Sequence, residues 1–542
     1  MTGFITVVSI LLEQTRFKHA QVVSADAHLT VLAGLSFIYL ASLLRRGKRN
    51  AWFIAVPLYS YIVVRNFWHF LIDLPINKRH FLDILLNLLI PVVALGMLIL
   101  YRRLFVVKSE LRNFGPASKR AVLILLIAFL YGIVGFQLLD QRDFHQEISL
   151  ATGAHYTVDQ FGLTTDSQIV AHTKRAQVFL ASLGAISLGS LFYVGASLFS
   201  PIRFRLSSQR LEHEIMRALL EKFPASSEDF FKLWPQDKAY FFNEDYAAGL
   251  AYRVSGGVAL AVADPAGNPA AFHDLLADFL QYCRVNDWSA SLIHTEQKYI
   301  ELYKQLDFDI QKIGEEAIVN IQDFSQSVAG NKYFRNIANR FESKGYTNEV
   351  LLPPHNEAVI ARLRSISDDW LKRGGRTERG FMMGYFSESY MQQCPVMVVR
   401  DAAGTIQAFI NQLNASNKQE ANFDLLRHTQ TSLGNINDFL MLKFIAYLAE
   451  QGYTKLNMGL APLAGLGAEN VDKSGVIDNI FGFVYSNSNR FYSFQGLKRF
   501  KSKYEPKWES RFIVYQNGMP GLTKTLTGLL RAMRVRQHRL LP

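Results

Sequence analysis

The chain has 542 residues and a formal net charge of +12, so it exceeds one ordinary domain and favours an anionic partner. Nucleic acid and an acidic lipid surface both fit that charge. Its two cysteines, Cys283 and Cys394, lie in no CxxC motif or Cys/His cluster. This spacing argues against a disulfide framework and a zinc site, and we interpret both residues as core cysteines.

The first 200 residues have the composition of a membrane domain. Apolar runs long enough, or nearly so, to cross a bilayer are Ala27–Leu44, Ala51–Val64, Phe81–Leu100, Ala121–Leu139 and Val178–Phe199. Lysines and arginines cluster after the first run and between the third and fourth, whereas the connection 140–177 is acidic. By the positive-inside rule, residues 1–204 are predicted to form about five spans, with the rest of the chain in the cytoplasm.

The hydrophobic periodicity then changes to an α/β pattern. Amphipathic helical stretches such as Leu211–Phe223 alternate with short β-like runs such as Gly257–Ala263. A similar round of elements begins near residue 355. We therefore predict two tandem α/β domains, 205–354 and 355–518, followed by a basic amphipathic helix at 519–542.

Six blocks of this C-terminal half carry a family resemblance when they are taken in order. They are GEEAIV (Gly314–Val319), SDDWL (Ser367–Leu371), TERGFMMGYF (Thr377–Phe386), NFDLLR (Asn422–Arg427), NMGLAPLAGLG (Asn457–Gly467) and FYSFQGLKRFKSKYEPKW (Phe491–Trp508). Together they resemble the synthase domain of the multiple peptide resistance factor family, the aminoacyl-phosphatidylglycerol synthases. The likeness covers roughly residues 240–515.

The resemblance implies a fold class and an activity. The fold class is an N-terminal α-helical transmembrane bundle plus C-terminal α/β tandem GNAT-like (acyltransferase) domains. The activity is transfer of a lysyl or alanyl group from aminoacyl-tRNA to phosphatidylglycerol in the bacterial inner membrane, which makes an anionic membrane surface more cationic. Full-size members that also flip their product carry many more spans, so five spans predict the synthase half alone. Formation of a homo-oligomer is left open.

Asp424 and Arg427 in NFDLLR are the first catalytic candidates. An aminoacyl-tRNA ester is already activated, so transfer needs no ATP, metal or cofactor, but it needs an aligned hydroxyl and a base. Asp424 would orient or deprotonate that hydroxyl, or hold the substrate α-ammonium, and Arg427 would clamp phosphate. Residues i and i+3 of a straight strand face opposite sides, so their cooperation requires a bulge, a strand end or a turn. A structural ion pair is the alternative.

Glu378 and Arg379 lie in a glycine-containing loop flanked by arginines. Glu378 is a candidate for recognising the positive charge of the amino acid, and Arg379 is a candidate substrate-binding residue beside it. A solvated loop salt bridge is the alternative for both. Glu315 and Glu316, which precede a β-like run, are interpreted as the edge of a structural network.

The segment Phe491–Tyr515 mixes cations for phosphate with aromatic rings that can stack. Tyr492, Lys498 and Arg499 are its substrate-binding candidates. Lys501 and Lys503 alternate with their neighbours, so on an extended segment both would share one face. We expect that face to meet the lipid phosphate or the tRNA acceptor end. The alternative is a strand pair whose rings are core and whose lysines are solvated.

Two further stretches are interpreted from their composition. Leu522–Leu540 has the profile of an interfacial amphipathic helix, and we rank lipid attachment before tRNA binding and a frayed tail. Asn457–Gly467 lacks the Gly-Lys-Ser/Thr ending of a P-loop and the pyrophosphate loop of an acetyl-CoA enzyme, so it is interpreted as a turn after strand Lys455–Met458.

Two other functions remain open on the sequence alone. One is an enzyme that acts on another lipid or hydroxyl acceptor, which the lipid product would identify. The other is a non-catalytic membrane protein that binds lipid or tRNA, for which binding without transfer, insensitive to Asp424→Ala, would be expected.

Overall fold

The structure is a computed structural model that describes most of the chain. The described residues are 25–72, 78–109, 114–139, 141–145, 147–161, 169, 171–200, 210–372, 377–413, 415–417, 419–462 and 494–535. They divide into two compact units. The first consists of Met1–Arg203 with Val285–Asp287, and the second of Phe204–Arg284 with Trp288–Pro542.

Helices in the first unit coincide with the five apolar runs. Its helices are α1 (Ala25–Arg45), α2 (Arg49–Ile72), α3 (Lys78–Leu100), α4 (Phe114–Leu138), α5 (Gln141–Phe144), α6 (Leu150–Gln160) and α7 (Lys174–Ser197). Within the described residues, Gly115–Leu138 and Lys174–Ser197 are long and apolar enough to cross a membrane. Gly34–Arg45 and Leu88–Leu100 are shorter apolar helices. These observations give two candidate spans, and the five-span bundle stays a prediction.

The second unit is built on one mixed sheet of 12 strands. Its strands are β1 (Ala239–Phe242), β2 (Ala248–Ser255), β3 (Val258–Val262), β4 (Ala266–Gly267), β5 (Ser289–Glu296), β6 (Asp309–Asn320), β7 (Thr347–Leu351), β8 (Val396–Arg400), β9 (Ile406–Gln412), β10 (Glu420–His428), β11 (Lys455–Pro462) and β12 (Lys507–Tyr515). The spatial order is β1-β2-β3-β5-β12-β6-β11-β10-β9-β8-β7, and β4 pairs with β2.

Helices pack against this sheet. They are α8 (Arg210–Lys222), α9 (Phe230–Leu233), α10 (Phe272–Val285), α11 (Ile300–Gln305), α12 (Ile321–Asp323), α13 (Lys332–Glu342), α14 (Glu357–Lys372), α15 (Glu388–Met391), α16 (Ile436–Glu450), α17 (Phe494–Ser502) and α18 (Gly518–Ala532). A 3-10 turn at Ser227–Asp229 precedes α9, and Asp229 closes a capping box with Ser226.

The two halves of the sheet repeat one order of elements. Antiparallel β2 and β3 are followed by α10 and by β5, which is parallel to β3. Antiparallel β9 and β10 are followed by α16 and by β11, which is parallel to β10. This order is GNAT-like, as expected. The last strand, β12, lies antiparallel between β5 and β6 of the first half. The two predicted domains therefore share one sheet, and their boundaries stay predictions.

The C-terminal helix α18 packs on the sheet. Leu522, Leu526 and Leu529 are 0%, 1% and 7% exposed and lie in the core with residues of β3 and β12. A Cβ added at Gly528 would lie 2.7 Å from the carbonyl oxygen of Ser255, so helix and strand approach closely. The interpretation of this stretch as an interfacial or frayed helix is wrong over Gly518–Ala532, because its apolar face is already buried against protein. Residues 536–542 lie outside the described part.

β10 and β11 stop pairing near the middle of the sheet, and the place where they separate is called the crevice below. The strands pair in parallel for three residues each, Glu420–Asn422 with Lys455–Asn457, and no further. Register shifts follow on both, between Phe423 and Leu426 and between Asn457 and Leu460. Gly459 has φ of +76° at the second irregularity. The turn expected after Met458 is therefore wrong up to Pro462, because the strand continues through this bulge.

Candidate functional site

The irregularity in β10 brings Asp424 and Arg427 into one electrostatic site. The register against β9 shifts between Phe423 and Leu426, and the side-chain oxygen of Asn411 accepts the backbone N–H of Leu425 at 2.7 Å. The strand thus has the bulge that cooperation between residues i and i+3 requires. Burial raises the pKa of the Asp424 carboxyl, and the guanidinium of Arg427 is among the groups that oppose this rise, so the two side chains are within electrostatic reach.

The Asp424 carboxylate is held in a tight polar pocket. The hydroxyl of Tyr390 donates to its Oδ2 at 2.9 Å, and the backbone N–H of Gly384 donates to it as well. A methyl group added at Gly384 would overlap this carboxylate and the Tyr390 ring, so the close approach requires glycine. Burial raises the pKa of Asp424 to about 6, against the lowering effects of Tyr390 and Arg427. The group is therefore mostly ionised at neutral pH and close enough to neutrality to accept a proton.

Arg427 itself is paired with Glu378. Its Nη1 and Nη2 each lie 2.8 Å from a carboxylate oxygen of Glu378, in a bidentate arrangement. Nη1 also donates to the hydroxyl of Ser367, and the guanidinium stacks 5.0 Å from the centroid of Trp370. Glu378 in turn accepts the backbone N–H of Phe386 at 3.2 Å. The structure thus joins two sequence-predicted residues, and the side chain of Glu378 is 16% exposed rather than solvated.

Arg379 lies beside Arg534, which follows the end of α18. The backbones of these two residues form an isolated antiparallel β-bridge. Burial, and secondly the charge of Arg534, lowers the pKa of the Arg379 guanidinium. Its role in substrate binding stays a prediction.

Lys501 and Lys503 do not share a face. The segment is the helix α17 followed by a turn, so the extended conformation that we expected is wrong. Lys501 is 5% exposed and donates to the carbonyl oxygens of Gly459 and Leu460 at 2.8 and 2.9 Å. Lys503 instead pairs with Asp438 at 2.9 Å. Lys501 therefore lies at the crevice, against β11. Lys503 belongs to a separate polar cluster around Asp438.

The other candidates of this segment have different surroundings. Lys498 lies 3.9 Å from Glu315 and 5.5 Å from the ring centroid of Trp508. Arg499 is exposed on α17. Tyr492 lies outside the described residues. Binding roles for all three stay predictions.

A row of buried polar side chains crosses the sheet beside the crevice, and the sequence analysis missed it. It runs over five neighbouring strands in the order Asn422, Asn457, Glu316, Arg511 and His294. Asn422 and Asn457 are register partners, Arg511 forms an ion pair with Glu316, and His294 Nε2 lies 3.4 Å from Glu316 Oε1. The sequence analysis interpreted Glu316 as the edge of a structural network, whereas the structure buries it fully at the centre of this row. A carboxylate inside the apolar run GEEAIV was the available signal.

Titratable groups around this row have strongly shifted pKa values. Burial, then repulsion from Glu316, raises the pKa of Glu228 to about 8. Burial lowers the pKa of Lys501 to about 8, against the raising effect of Glu316, and burial lowers that of His294 to about 3. A cluster of perturbed groups is a candidate functional site, although structural ion-pair networks shift pKa values as well. The described residues contain no group of three or more His, Cys, Asp or Glu side chains arranged to hold a metal ion.

Comparison with known proteins gives this geometry a context. The family model described as phosphatidylglycerol lysyltransferase, C-terminal, matches residues 217–515. The phosphatidylglycerol lysyltransferase of Staphylococcus epidermidis is 28% identical over 456 residues, which cover 84% of this chain and 50% of that protein. The protein of the same name from Bacillus subtilis is 32% identical over 280 residues, 52% of this chain and 32% of that one. The chain thus spans about half the length, or less, of these curated relatives.

Two solved structures resemble the second unit. One is L-PGS from Bacillus licheniformis, with 29% identity and a TM-score of 0.52, covering 60% of this chain and 97% of that one. The other is the C-terminal domain of a putative lysylphosphatidylglycerol synthetase from Agrobacterium fabrum, with 27% identity and a TM-score of 0.52, covering 60% and 98%. The site described above lies within residues 217–515, which the family model matches.

Proposed function

Because this chain belongs to the phosphatidylglycerol lysyltransferase C-terminal family, we propose that it is a membrane-bound aminoacyltransferase. It moves an aminoacyl group, lysyl or alanyl, from aminoacyl-tRNA to a glycerol hydroxyl of phosphatidylglycerol. The observation that carries this proposal is the Asp424 carboxylate, which Tyr390 and Gly384 hold in place within the family-matched region.

Asp424 acts as the general base in this proposal. It accepts the proton of the lipid hydroxyl while the hydroxyl oxygen attacks the ester carbonyl carbon of the aminoacyl-tRNA. A new C–O bond forms to the lipid, the C–O bond to the ribose breaks, and the proton passes to the ribose oxygen. The substrate ester supplies the activation, so the step balances without ATP, metal or redox cofactor.

The cations beside Asp424 have two different tasks. Arg427 already forms an ion pair with Glu378, so it acts on Asp424 through its charge and not through a direct hydrogen bond. That charge favours the ionised form of Asp424. Lys501 uses two N–H groups on the carbonyls of Gly459 and Leu460 at the crevice, and it supplies positive charge for the oxyanion or the lipid phosphate. The predicted role of Glu378 is to recognise the positive charge of the amino acid. It would have to perform this role while it remains paired with Arg427.

The membrane placement rests on the first unit. Two apolar helices, Gly115–Leu138 and Lys174–Ser197, are candidates to cross the bilayer, and basic loops beside the apolar runs favour a cytoplasmic second unit. A multi-pass anchor in the bacterial inner membrane would hold the catalytic unit at the surface where phosphatidylglycerol lies. Charged tRNA is available on the same side.

The test is lipid extraction and mass spectrometry from a heterologous bacterial host that expresses the chain. A new aminoacyl-phosphatidylglycerol would support the proposal, and its mass would identify the amino acid. A folded, membrane-inserted protein that yields no aminoacyl-lipid, in cells and with purified charged tRNA, would refute it.

A further inference from the structure

Lys238 is a buried lysine that the proposed chemistry does not use. It directly precedes β1, in the first half of the sheet, and is 1% exposed. Its Nζ donates to the carbonyl oxygens of Pro235 and Phe381 at 2.9 and 2.8 Å, and to Oδ1 of Asp237 at 2.7 Å. These bonds use all three donors of the ammonium group. Two of the partners are local, whereas Phe381 lies 143 residues away in the chain, in a loop of the second half.

That loop, TERGFMMGYF, is the one that holds the Asp424 site. Three residues before Phe381, Glu378 forms the bidentate ion pair described above. Three residues after Phe381, the backbone N–H of Gly384 donates to the Asp424 carboxylate. Lys238 therefore binds the loop midway between the loop's two contacts with the site.

The backbone around Phe381 has a conformation that its surroundings must fix. Its φ is +72°, and the N–H of Met382 donates to the carbonyl oxygen of Gly380 at 3.1 Å, which makes a γ-turn with a positive φ at its centre. Such a turn is strained for a residue with a side chain and persists only where neighbouring groups hold it. Phe381 is fully buried, its carbonyl accepts the Lys238 hydrogen bond, and its ring centroid lies 5.6 Å from Nζ.

We propose that Lys238 is a positioning residue for the proposed general base, through its hydrogen bond to the Phe381 carbonyl. It fixes the γ-turn, and the γ-turn places Gly384 against Asp424. All three donors of Lys238 are used elsewhere, so it acts through the loop and not on Asp424 directly. This inference rests on the proposed function, because it concerns the same base.

The pH profile of Lys238→Met tests this role. Met fills much of the lysine volume and removes the three donors, while Asp237 keeps its second partner, Nη1 of Arg253 at 2.7 Å. A displaced Gly384 N–H no longer favours the carboxylate, so the pKa of Asp424 should rise and the acid limb of kcat/KM should move up by about half a pH unit. We expect kcat to fall about tenfold, with the KM of both substrates within about twofold.

Other groups that face Asp424 stay the same in this variant. The titratable and charged ones are Tyr390, Cys394, Arg427, Glu378 and Glu228. A shift of the acid limb therefore reports the loop and not a changed charge beside the base.

Arg253→Met is the matched control. Arg253 and Lys238 share Asp237, so each variant removes one cation from the same carboxylate. Arg253 also donates to the carbonyl oxygen of Ala532 at 3.2 Å, whereas the loop carbonyl of Phe381 is bound by Lys238. Arg253→Met should lower stability and leave the acid limb and kcat within about twofold of the unmodified protein.

Lys238→Gln is a second variant, which carries the test if Lys238→Met does not fold. It keeps two N–H donors for three acceptors, so it should change kcat and the acid limb in the same direction and by less. Values of kcat and acid limb equal to those of the unmodified protein would count against the inference.

Amide hydrogen exchange of the full-length protein gives a readout that does not depend on transfer. Residues 377–386 should exchange about tenfold faster in Lys238→Met and at the unmodified rate in Arg253→Met. Unchanged exchange of this loop, an acid limb that does not move, or equal changes in Arg253→Met would each overturn the inference. Faster exchange in Lys238→Met of a protein that makes no aminoacyl-lipid would support the anchoring of the loop and refute the proposed function.

Discussion

The hydroxyl of Tyr390 donates a hydrogen bond to Oδ2 of Asp424 at 2.9 Å, and Tyr390 itself is fully buried. This bond favours the ionised carboxylate, whereas burial favours the neutral acid and raises the pKa of Asp424 to about 6. The balance between these effects sets the pH range in which Asp424 can act as a base.

For the unmodified protein, kcat/KM for transfer should be full above about pH 7 and fall as pH decreases through about 6, because the base must be ionised. Tyr390→Phe keeps the ring and removes the hydroxyl that lowers the pKa of Asp424. The acid limb of the profile should therefore move up by about one pH unit, the equivalent of one hydrogen bond to a charged group. A profile that does not move, or moves to lower pH, would contradict this role for Tyr390.

Breaking the Arg427–Glu378 pair should destabilise the second unit. Glu378→Gln leaves the guanidinium of Arg427, which is 5% exposed, without its counter-charge, and loss of one partner from such a pair costs about 3–5 kcal/mol. Adding Arg427→Met should restore part of this loss, with a coupling of about 1–3 kcal/mol in a double-mutant cycle of unfolding free energies. Purely additive losses would mean that the pair is not coupled. Unchanged donor choice in Glu378→Gln would remove its assignment as the specificity residue.

Lys501 and Lys503 should respond differently to substitution. Lys501→Met removes the buried cation that faces Glu316 and Glu228, and transfer should fall at least tenfold. Lys503→Met should leave transfer within a few-fold, because its partner is Asp438 and not a group at the site, but it removes the counter-charge of a buried carboxylate and should lower the free energy of unfolding. Asp438 also keeps two hydroxyl donors, from Tyr333 and Tyr504. Equal losses of transfer in both variants would instead support the prediction from sequence that the two lysines share one substrate-binding face.

Leu526→Ala tests whether α18 belongs to the core. The side chain is 1% exposed, so truncation should lower the free energy of unfolding by about 2–5 kcal/mol. Met519→Ala on the same helix is the control, because that side chain is 40% exposed and should cost little. Binding of the protein to anionic vesicles should be the same in both variants. Unchanged stability with weaker vesicle binding in Leu526→Ala would support the interfacial interpretation instead.

The sequence predicted the elements of the second unit well where the hydrophobic period was unambiguous. The helix predicted at Leu211–Phe223 is α8 (Arg210–Lys222), within one residue at each end, and the predicted run Gly257–Ala263 contains β3 (Val258–Val262). The helix buries one face, with Met216, Leu219 and Leu220 inside, and the strand is a short apolar run that is buried along its whole length, so each hydrophobic pattern is sufficient to define its segment.

The errors have identifiable physical causes. The segment at Lys501 and Lys503 alternates like a strand over five residues, but its rings also recur at helical spacing, and packing selects the helix. The apolar stripe of α18 would look the same on lipid or on a sheet, so only the tertiary structure distinguishes the two. Tyr390 reaches Asp424 through the fold and lies in none of the six blocks, whereas Gly384 lies in TERGFMMGYF but has no side chain whose chemistry would single it out.

The most direct test of the central claim is transfer by the purified full-length protein from charged tRNA to phosphatidylglycerol in mixed micelles, with Asp424→Asn beside Glu301→Gln. Asn preserves the shape and removes the base, so the rate should fall by about 10²–10⁴-fold with an unchanged melting temperature. Glu301→Gln removes an exposed carboxylate on α11 and should leave the rate unchanged. Aminoacyl-phosphatidylglycerol formed by Asp424→Asn at the rate of the unmodified protein would contradict the account.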